Sequence, residues 1–293
     1  MEAIKNFIDY LKFEKRYSRH TLIAYENDLF QFASYLKTSY EITELKNIKS
    51  IFVRSWVVSL MEEKLDPRSI NRKITSLKSF YKYALKSKWV ENNPMGKISS
   101  PKTAKRLPSY IEAEKLDSLF DNTVFAESFE GKREQLILEL FYGTGMRLSE
   151  LINLQLNDVD LRQLQLKVTG KRNKQRIIPL YTAMLPHIEH YLEYRSKVET
   201  TLPNLFVMDN GDALYPMYVY RLVKRNLSVV STQKKRSPHV LRHSFATEML
   251  NNGADLNAIK EILGHANLSA TQVYTHNSIE KLKDTYKKAH PRA

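Results

Sequence analysis

The chain has 293 residues, 42% hydrophobic and 27% charged, with 8 Gly and 10 Pro, the profile of an ordinary globular protein of about two domains. Its 46 Lys+Arg against 32 Asp+Glu leave a net charge of +14, which favours polyanionic partners. The absence of cysteine excludes a disulfide framework, cysteine-ligated zinc, iron–sulfur clusters and thiol catalysis. The opening MEAIKNFIDYLKF is broken by Glu2, Lys5, Asp9 and Lys12, so it lacks the apolar core of a signal peptide, and no apolar run approaches the ~20 residues of a membrane span. A soluble cytoplasmic protein with no membrane partner is expected.

The first third holds half of the excess charge and reads as helical. Leu22, Tyr25, Leu29, Phe32 and Leu36 recur at three- and four-residue steps, with Ser18 placed to cap that helix. Ile51, Val53, Trp56, Val57 and Leu60 repeat the register. After the breaker Asp66-Pro67 a third stripe runs Ile70, Ile74, Leu77, Tyr81 and Leu85, extended by Phe80 and Tyr83. Arg68, Arg72, Lys73, Lys78 and Lys82 flank it. The stripe reads as core; the flank is either a solvated surface or a face for phosphates. Asn92-Asn93-Pro94 ends the block. KISSPKTAKRLP (97–108) has two prolines and no periodicity, so residues 99–108, with Lys102, Lys105 and Arg106, are expected to form a basic linker between a domain over 1–98 and another over 109–293. Composition leaves open whether the linker follows a phosphate backbone or is a plain tether.

In the remaining part, Arg133 to Tyr142 and Leu148 to Leu154 have helical spacing. Leu164, Leu166 and Val168 alternate with Gln165 and Lys167, and Arg176 to Leu180 returns after a turn at Gly170 to Lys174. This predicts a β-hairpin with Lys171, Arg172 and Lys174 at its tip. Helices are expected near 183–195, 217–227, 239–251 and 256–263, with an amphipathic segment from Ile279 to about Ala289. The fold class is therefore mainly α with a small β-hairpin or sheet.

Four segments stand out: TGMRLSEL (144–151), TGKRNKQR (169–176), HVLRHSFAT (239–247) and LGHANLSATQVYTH (263–276). His239, His243 and His265 do not read as a zinc site. A metalloprotease helix needs Glu directly after its first His, where Val240 stands, and Arg242 would set a fixed cation beside the metal. Together, Arg147, Lys171, His239, Arg242, His265 and Tyr274 supply two guanidiniums, an ammonium, two imidazoles and a phenol. That set suits a phosphodiester. Arginines can fork onto non-bridging oxygens and stabilise developing charge. A phenol can act as a covalent nucleophile, a lysine can protonate a leaving hydroxyl, and a histidine can accept a proton. No pair of carboxylates for divalent ions accompanies the set, so metal-free chemistry is expected, with no cofactor.

These residues resemble the tyrosine recombinase, or phage integrase, family. Its pattern is an Arg in TGxRxSE, a Lys on a β-hairpin, an HxLRHxFAT segment, a GH segment, and a Tyr nine residues after that His. All appear here in order, with Arg147 and Lys171 24 residues apart and His265 and Tyr274 nine apart. RYSRHTLIAYENDLFQFASYL is similar to the family's N-terminal core-binding, SAM-like domain, and the ending YTHNSIEKLKDTYKKAHPRA looks like the Xer subgroup.

The resemblance implies that Tyr274 attacks a scissile phosphate, leaving a 3′-phosphotyrosine and a free 5′-hydroxyl. Arg147 and Arg242 would clamp the phosphate, Lys171 would act as general acid and His239 would help deprotonate the tyrosine. His265 would bond the phosphate, and Glu150 would support the site. No ATP would be needed. Two domains would form a clamp around duplex DNA, and four protomers, alone or with a second recombinase, would work through a Holliday junction. The Xer likeness implies resolution of chromosome dimers at a dif-like site during segregation, association with the nucleoid, and a septal DNA translocase as a possible activator. One departure is Glu248, where many family members have His; it bears on packing near the site. The apolar face Ile279, Leu282, Tyr286 and Ala289 is expected either to dock on a neighbouring protomer or to pack on its own domain. The competing readings are a mobile-element integrase of the same family, a type IB topoisomerase and a non-catalytic DNA-binding protein.

Overall fold

The computed structural model describes residues 2–103, 109–170, 173–233, 235–264, 276–290 and 292, the side chains at 276–279 and 281 excepted. The chain divides into two compact units, Met1–Arg106 and Leu107–Ala293.

The first unit is helical: α1 (Glu2–Asp9), which runs on into a π-turn at Tyr10–Glu14, then α2 (Arg19–Tyr40), α3 (Ser50–Glu62) and α4 (Pro67–Lys86). The starts follow local chemistry. Ser18 Oγ accepts the Thr21 amide at 3.4 Å, and Asp66 Oδ1 accepts the Arg68 amide at 2.9 Å with Pro67 in the first turn. Phe7, Leu29, Phe32, Trp56, Ile74, Leu77, Phe80 and Tyr81 close the core. The expected stripes hold except at their ends: Ile51 and Leu85 are 64% and 43% exposed. On α4 the 3.6-residue period carries the inward face from Tyr81 to Ala84, one residue short of Leu85.

Lys73, expected with the basic flank that could contact phosphates, is instead internal. It is 8% exposed and lies between α4 and α2, where Nζ donates to Asp28 Oδ1 at 3.1 Å and to Gln31 Oε1. Asp28, 1% exposed, also binds Arg72 Nη1 and accepts from Ser76 Oγ at 2.7 Å. A carboxylate that deep requires paired cations, and Lys73 supplies one of them.

The second unit contains α5 (Ala113–Asn122), α6 (Phe129–Thr144), α7 (Leu148–Ile152), strands β1 (Val159–Asp160), β2 (Gln165–Thr169) and β3 (Gln175–Pro179), then α8 (Leu185–Ser196), α9 (Pro216–Val230), α10 (Pro238–Asn251), α11 (Leu256–Leu263) and α12 (His276–Ala289). Every residue of α6 from Leu136 to Thr144 is buried, which makes it the central helix. The strands form an antiparallel sheet in the order β1-β2-β3, so the expected hairpin gains a third, two-residue strand. In its register Leu166 faces Ile178 and Val168 faces Arg176, and all four are buried.

The apolar face of α12, expected either to dock on a neighbouring protomer or to pack on its own domain, is covered by its own unit in the single chain. Leu282, Tyr286 and Ala289 are at most 3% exposed. Tyr286 Oη donates to the Gly143 carbonyl at 2.6 Å, and Asn252 Nδ2 to that of Ala289 at 2.9 Å. Burying a Leu or aromatic side chain is worth about 1.5–3 kcal/mol, so removing this helix would open the core of the unit. The side chain of Ile279 lies outside the described residues.

Candidate active site

Helix α6 ends at Gly145, which takes a left-handed φ of 58°. A Cβ at that position would lie 2.5 Å from the ring of Phe245, so the turn demands glycine twice over. The turn delivers Arg147 to the N-cap of α7. Three residues on, Glu150 reaches back: Oε2 accepts the Arg147 amide at 2.8 Å and Oε1 accepts Arg147 Nη1 at 2.7 Å. Arg176, on the inward face of β3, forks onto the same carboxylate, Nη1 to Oε1 at 3.0 Å and Nη2 to Oε2 at 2.8 Å. Burial pushes the Glu150 carboxyl up, but the Arg176 hydrogen bonds and charge, with those from Arg147, outweigh it and hold the group below its usual range.

The cluster continues to the C-terminal end of α11, whose last carbonyls have no partner within the helix. Arg176 Nε donates to Ile262 O at 2.6 Å, Arg242 Nη2 to Leu263 O at 2.7 Å, and Arg147 Nη2 to Gly264 O at 3.1 Å. Three successive carbonyls thus receive three arginines from three separate segments, at the end of the helix where its dipole favours cations. Arg242 Nη1 also donates to Gly145 O at 2.6 Å, tying α10 to the α6 turn.

Among the described residues, three guanidiniums therefore gather around one carboxylate, which two of them bond, leaving an excess of two positive charges. Burial lowers the Arg242 pKa to about 10, and the charges of Arg147 and Arg176 add to that against Glu150. It still carries its proton at neutral pH, in a setting where an anion would be welcome.

Arg147, Glu150 and Arg242 are brought together. His239 lies three residues before Arg242, in the first turn of α10, and is exposed. Lys171, His265 and Tyr274, with Lys105, Arg106 and Arg172, lie outside the described residues. The residues just before two of them are described, and both border the cluster. A Cβ on Gly170 would sit 3.1 Å from Glu150 Oε1, and one on Gly264 3.1 Å from Arg176 Nη1. Of the other basic residues, Arg68, Lys78, Lys102 and Lys174 are exposed; Lys174 O accepts the Gly170 amide at 2.8 Å within the hairpin. Arg72 is half-exposed but engaged with Asp28. Burial raises the Glu248 pKa against a backbone hydrogen bond from Ala113, at the start of α5.

The residue that motif reading left without a role is Arg176. Strand period carried the signal: alternation from Ile178 turns position 176 inward, and a guanidinium on an inner face needs a buried acid.

Known proteins resemble the chain over nearly its whole length. The profile of the Phage integrase family matches residues 109–281, and that of the Phage integrase N-terminal SAM-like domain matches residues 4–88. A tyrosine recombinase XerC of Chlorobaculum parvum is 38% identical, the alignment covering 99% of this chain and 94% of that protein. A tyrosine recombinase XerC of Listeria innocua is 37% identical over 99% and 97%. Among solved structures, the XerH site-specific recombinase bound to a palindromic difH substrate, in a post-cleavage complex, superposes with a TM-score of 0.73 at 25% identity, covering 90% of this chain and 78% of that one. With both family profiles and full-length relatives in agreement, the chain belongs to the phage integrase family, the tyrosine-type site-specific DNA recombinases.

Proposed function

We propose that the chain resolves chromosome dimers by cutting and rejoining DNA at a dif-like site, working at the nucleoid in the cytoplasm. The phenolic oxygen of Tyr274 attacks the scissile phosphorus and gives up its proton to His239. The bond from phosphorus to the 5′ oxygen breaks, and Lys171 protonates that oxygen as it leaves. The product is a 3′-phosphotyrosine and a free 5′-hydroxyl. Attack by the 5′-hydroxyl of the partner strand reverses the steps and releases Tyr274, so the phosphodiester energy is kept and no ATP is consumed. Arg147 and Arg242 hold the non-bridging oxygens as charge builds, with His265 as a further donor. Four protomers, alone or with a second recombinase, pass through a Holliday junction. The two units clamp the duplex, with Arg68 and Lys78 of α4, the linker residues Lys102, Lys105 and Arg106, and the hairpin-tip residues Arg172 and Lys174 on the phosphate backbone.

The observation that carries this reading is the arginine cluster: two positive charges in excess, set against Gly170 and Gly264, the residues that precede Lys171 and His265. The near-full-length likeness to XerC proteins supports a chromosomal site over a mobile element. The test is recovery of DNA covalently bound to the protein in its own cells, with Tyr274→Phe as the comparison. Adducts at one chromosomal locus, lost in the Phe variant, are expected. Adducts at the ends of a mobile element would replace the chromosomal role with integration, and scattered adducts would indicate topoisomerase chemistry.

A further inference from the structure

Arg176 is 5% exposed, and Nε, Nη1 and Nη2 are all bonded to the protein, to Ile262 O and to the two oxygens of Glu150. A guanidinium so placed has no free edge for a DNA phosphate. Its bonds reach the two structures that orient Arg147: the carboxylate held by Arg147 Nη1, and the end of α11, whose Gly264 carbonyl is held by Arg147 Nη2. Arg242 grips the same helix end through Leu263 O.

We propose that Arg176 is a positioning residue for recombination. From β3 it fixes Glu150 and the α11 terminus together, and so sets the spacing of Arg147 and Arg242 and the point from which the chain departs toward His265 and Tyr274. The inference rests on the roles proposed above for those residues. Its physical basis is that two phosphate-binding guanidiniums repel each other, so their spacing must be imposed by neighbours; the Glu150 carboxylate and the row of carbonyls impose it, and Arg176 joins the two. Only an arginine can serve both carboxylate oxygens and a carbonyl from one planar group; a lysine offers the charge from a single nitrogen.

The test uses the full chain and a nicked duplex carrying the locus recovered from the covalent adducts. DNA affinity and the single-turnover rate constant of adduct formation at saturating DNA are measured for wild type, Arg176→Lys and Arg176→Met. The Lys variant keeps a cation against Glu150 and guards against loss of fold. Positioning predicts affinity within twofold of wild type and a rate constant lowered about 10²-fold in the Lys variant, since small misplacements of reacting groups have effects of that size. A Lys variant with a lowered melting temperature but a wild-type rate constant overturns the proposal and makes Arg176 a purely structural residue. Weakened DNA binding with an unchanged rate constant overturns it in favour of an electrostatic anchor, and a Lys variant that does not fold overturns it as well. If wild type forms no adduct on the nicked duplex, or Tyr274→Phe forms one, the proposed function fails first and the inference falls with it.

Discussion

Asp28 in the first unit and Glu150 in the second are carboxylates at 1% and 4% exposure, each held by two cations. Around Asp28 the cations are neighbours on one helix, Arg72 and Lys73 of α4, and the pairing fastens α4 to α2. Around Glu150 they come from different segments, the start of α7 and strand β3, and each passes a further bond to the end of α11. The first arrangement closes on itself and withdraws a lysine from the surface. The second joins three separate segments and gathers guanidiniums with charge to spare. The same ionic chemistry thus locks two helices in one unit and assembles an anion site in the other. The difference lies in where the cations' further bonds lead: those of Arg72 and Lys73 return to α2, at Ala24 O and Gln31 Oε1, while those of Arg147 and Arg176 reach a further element, the end of α11.

The largest expected effects come from removing either acid. Asp28→Ala leaves Lys73 buried without its partner, and loss of one member of a buried pair costs about 3–5 kcal/mol. Denaturant unfolding of the full chain is expected to show that loss in the first unit, while the folded protein keeps its cleavage rate constant. Glu150→Ala is expected to destabilise the second unit to a similar extent and to lower the cleavage rate constant as well. Equal rate losses in both variants would erase the distinction drawn here.

A smaller effect separates the second unit from the first by pH. The imidazole of His290 stacks on Tyr181 and Tyr286 at 5.1 and 4.8 Å and lies against Phe245 and Tyr142. Burial, and to a lesser degree the charge of Arg292, lowers its pKa from 6.5 to about 3, against a backbone hydrogen bond at Tyr142. The folded state holds this ring neutral while the unfolded chain takes up a proton below 6.5, so stability falls as pH drops from 6.5 toward 3. Between pH 7 and 5.5 the loss is about 1 kcal/mol, and His290→Phe is expected to remove that part of the acid sensitivity in melts of the full chain. Glu150 acts in the same direction in a more acidic window. Its lowered pKa gives stability that is complete above its ordinary value of 4.5 and lost as pH falls through the folded value. An unchanged pH profile in His290→Phe would show that the ring gains its proton without leaving the aromatic cage.

The smallest effect concerns which lysines meet DNA. Lys78→Ala removes an exposed cation and is expected to reduce the salt slope of DNA binding by about one. Lys73→Met is expected to leave the slope unchanged and to alter only stability, since its ammonium faces Asp28. A slope change in Lys73→Met would mean that the pair opens when DNA binds.

What could be read in advance follows the range of the interactions. Ser18, Asp66-Pro67 and the alternation of β2 and β3 act within a few residues and mark their elements correctly. Helices α1 and α5, at eight and ten residues, carry no motif that marks them in the sequence and depend on packing for their stability. Strand β1 has two residues and no pattern to read. Lys73 and Arg72 are adjacent and look alike as sequence, and only the placement of Asp28 on α2 makes one of them internal.

By itself the sequence determined the mainly helical class, the division into two units, the preference for a polyanion, and the set of cationic and phenolic groups suited to a phosphodiester. Residue type, short-range periodicity and the spacing of motifs carry that information locally. The tertiary structure alone decided that Arg147, Arg176 and Arg242 meet on three successive carbonyls of α11, that Glu150 is shared between two of them, and that α12 turns its apolar face into its own unit. Those contacts join residues separated by up to 143 positions. Whether a given charge ends in water, in a buried pair or at a helix terminus depends on which distant backbone it meets after the chain has packed.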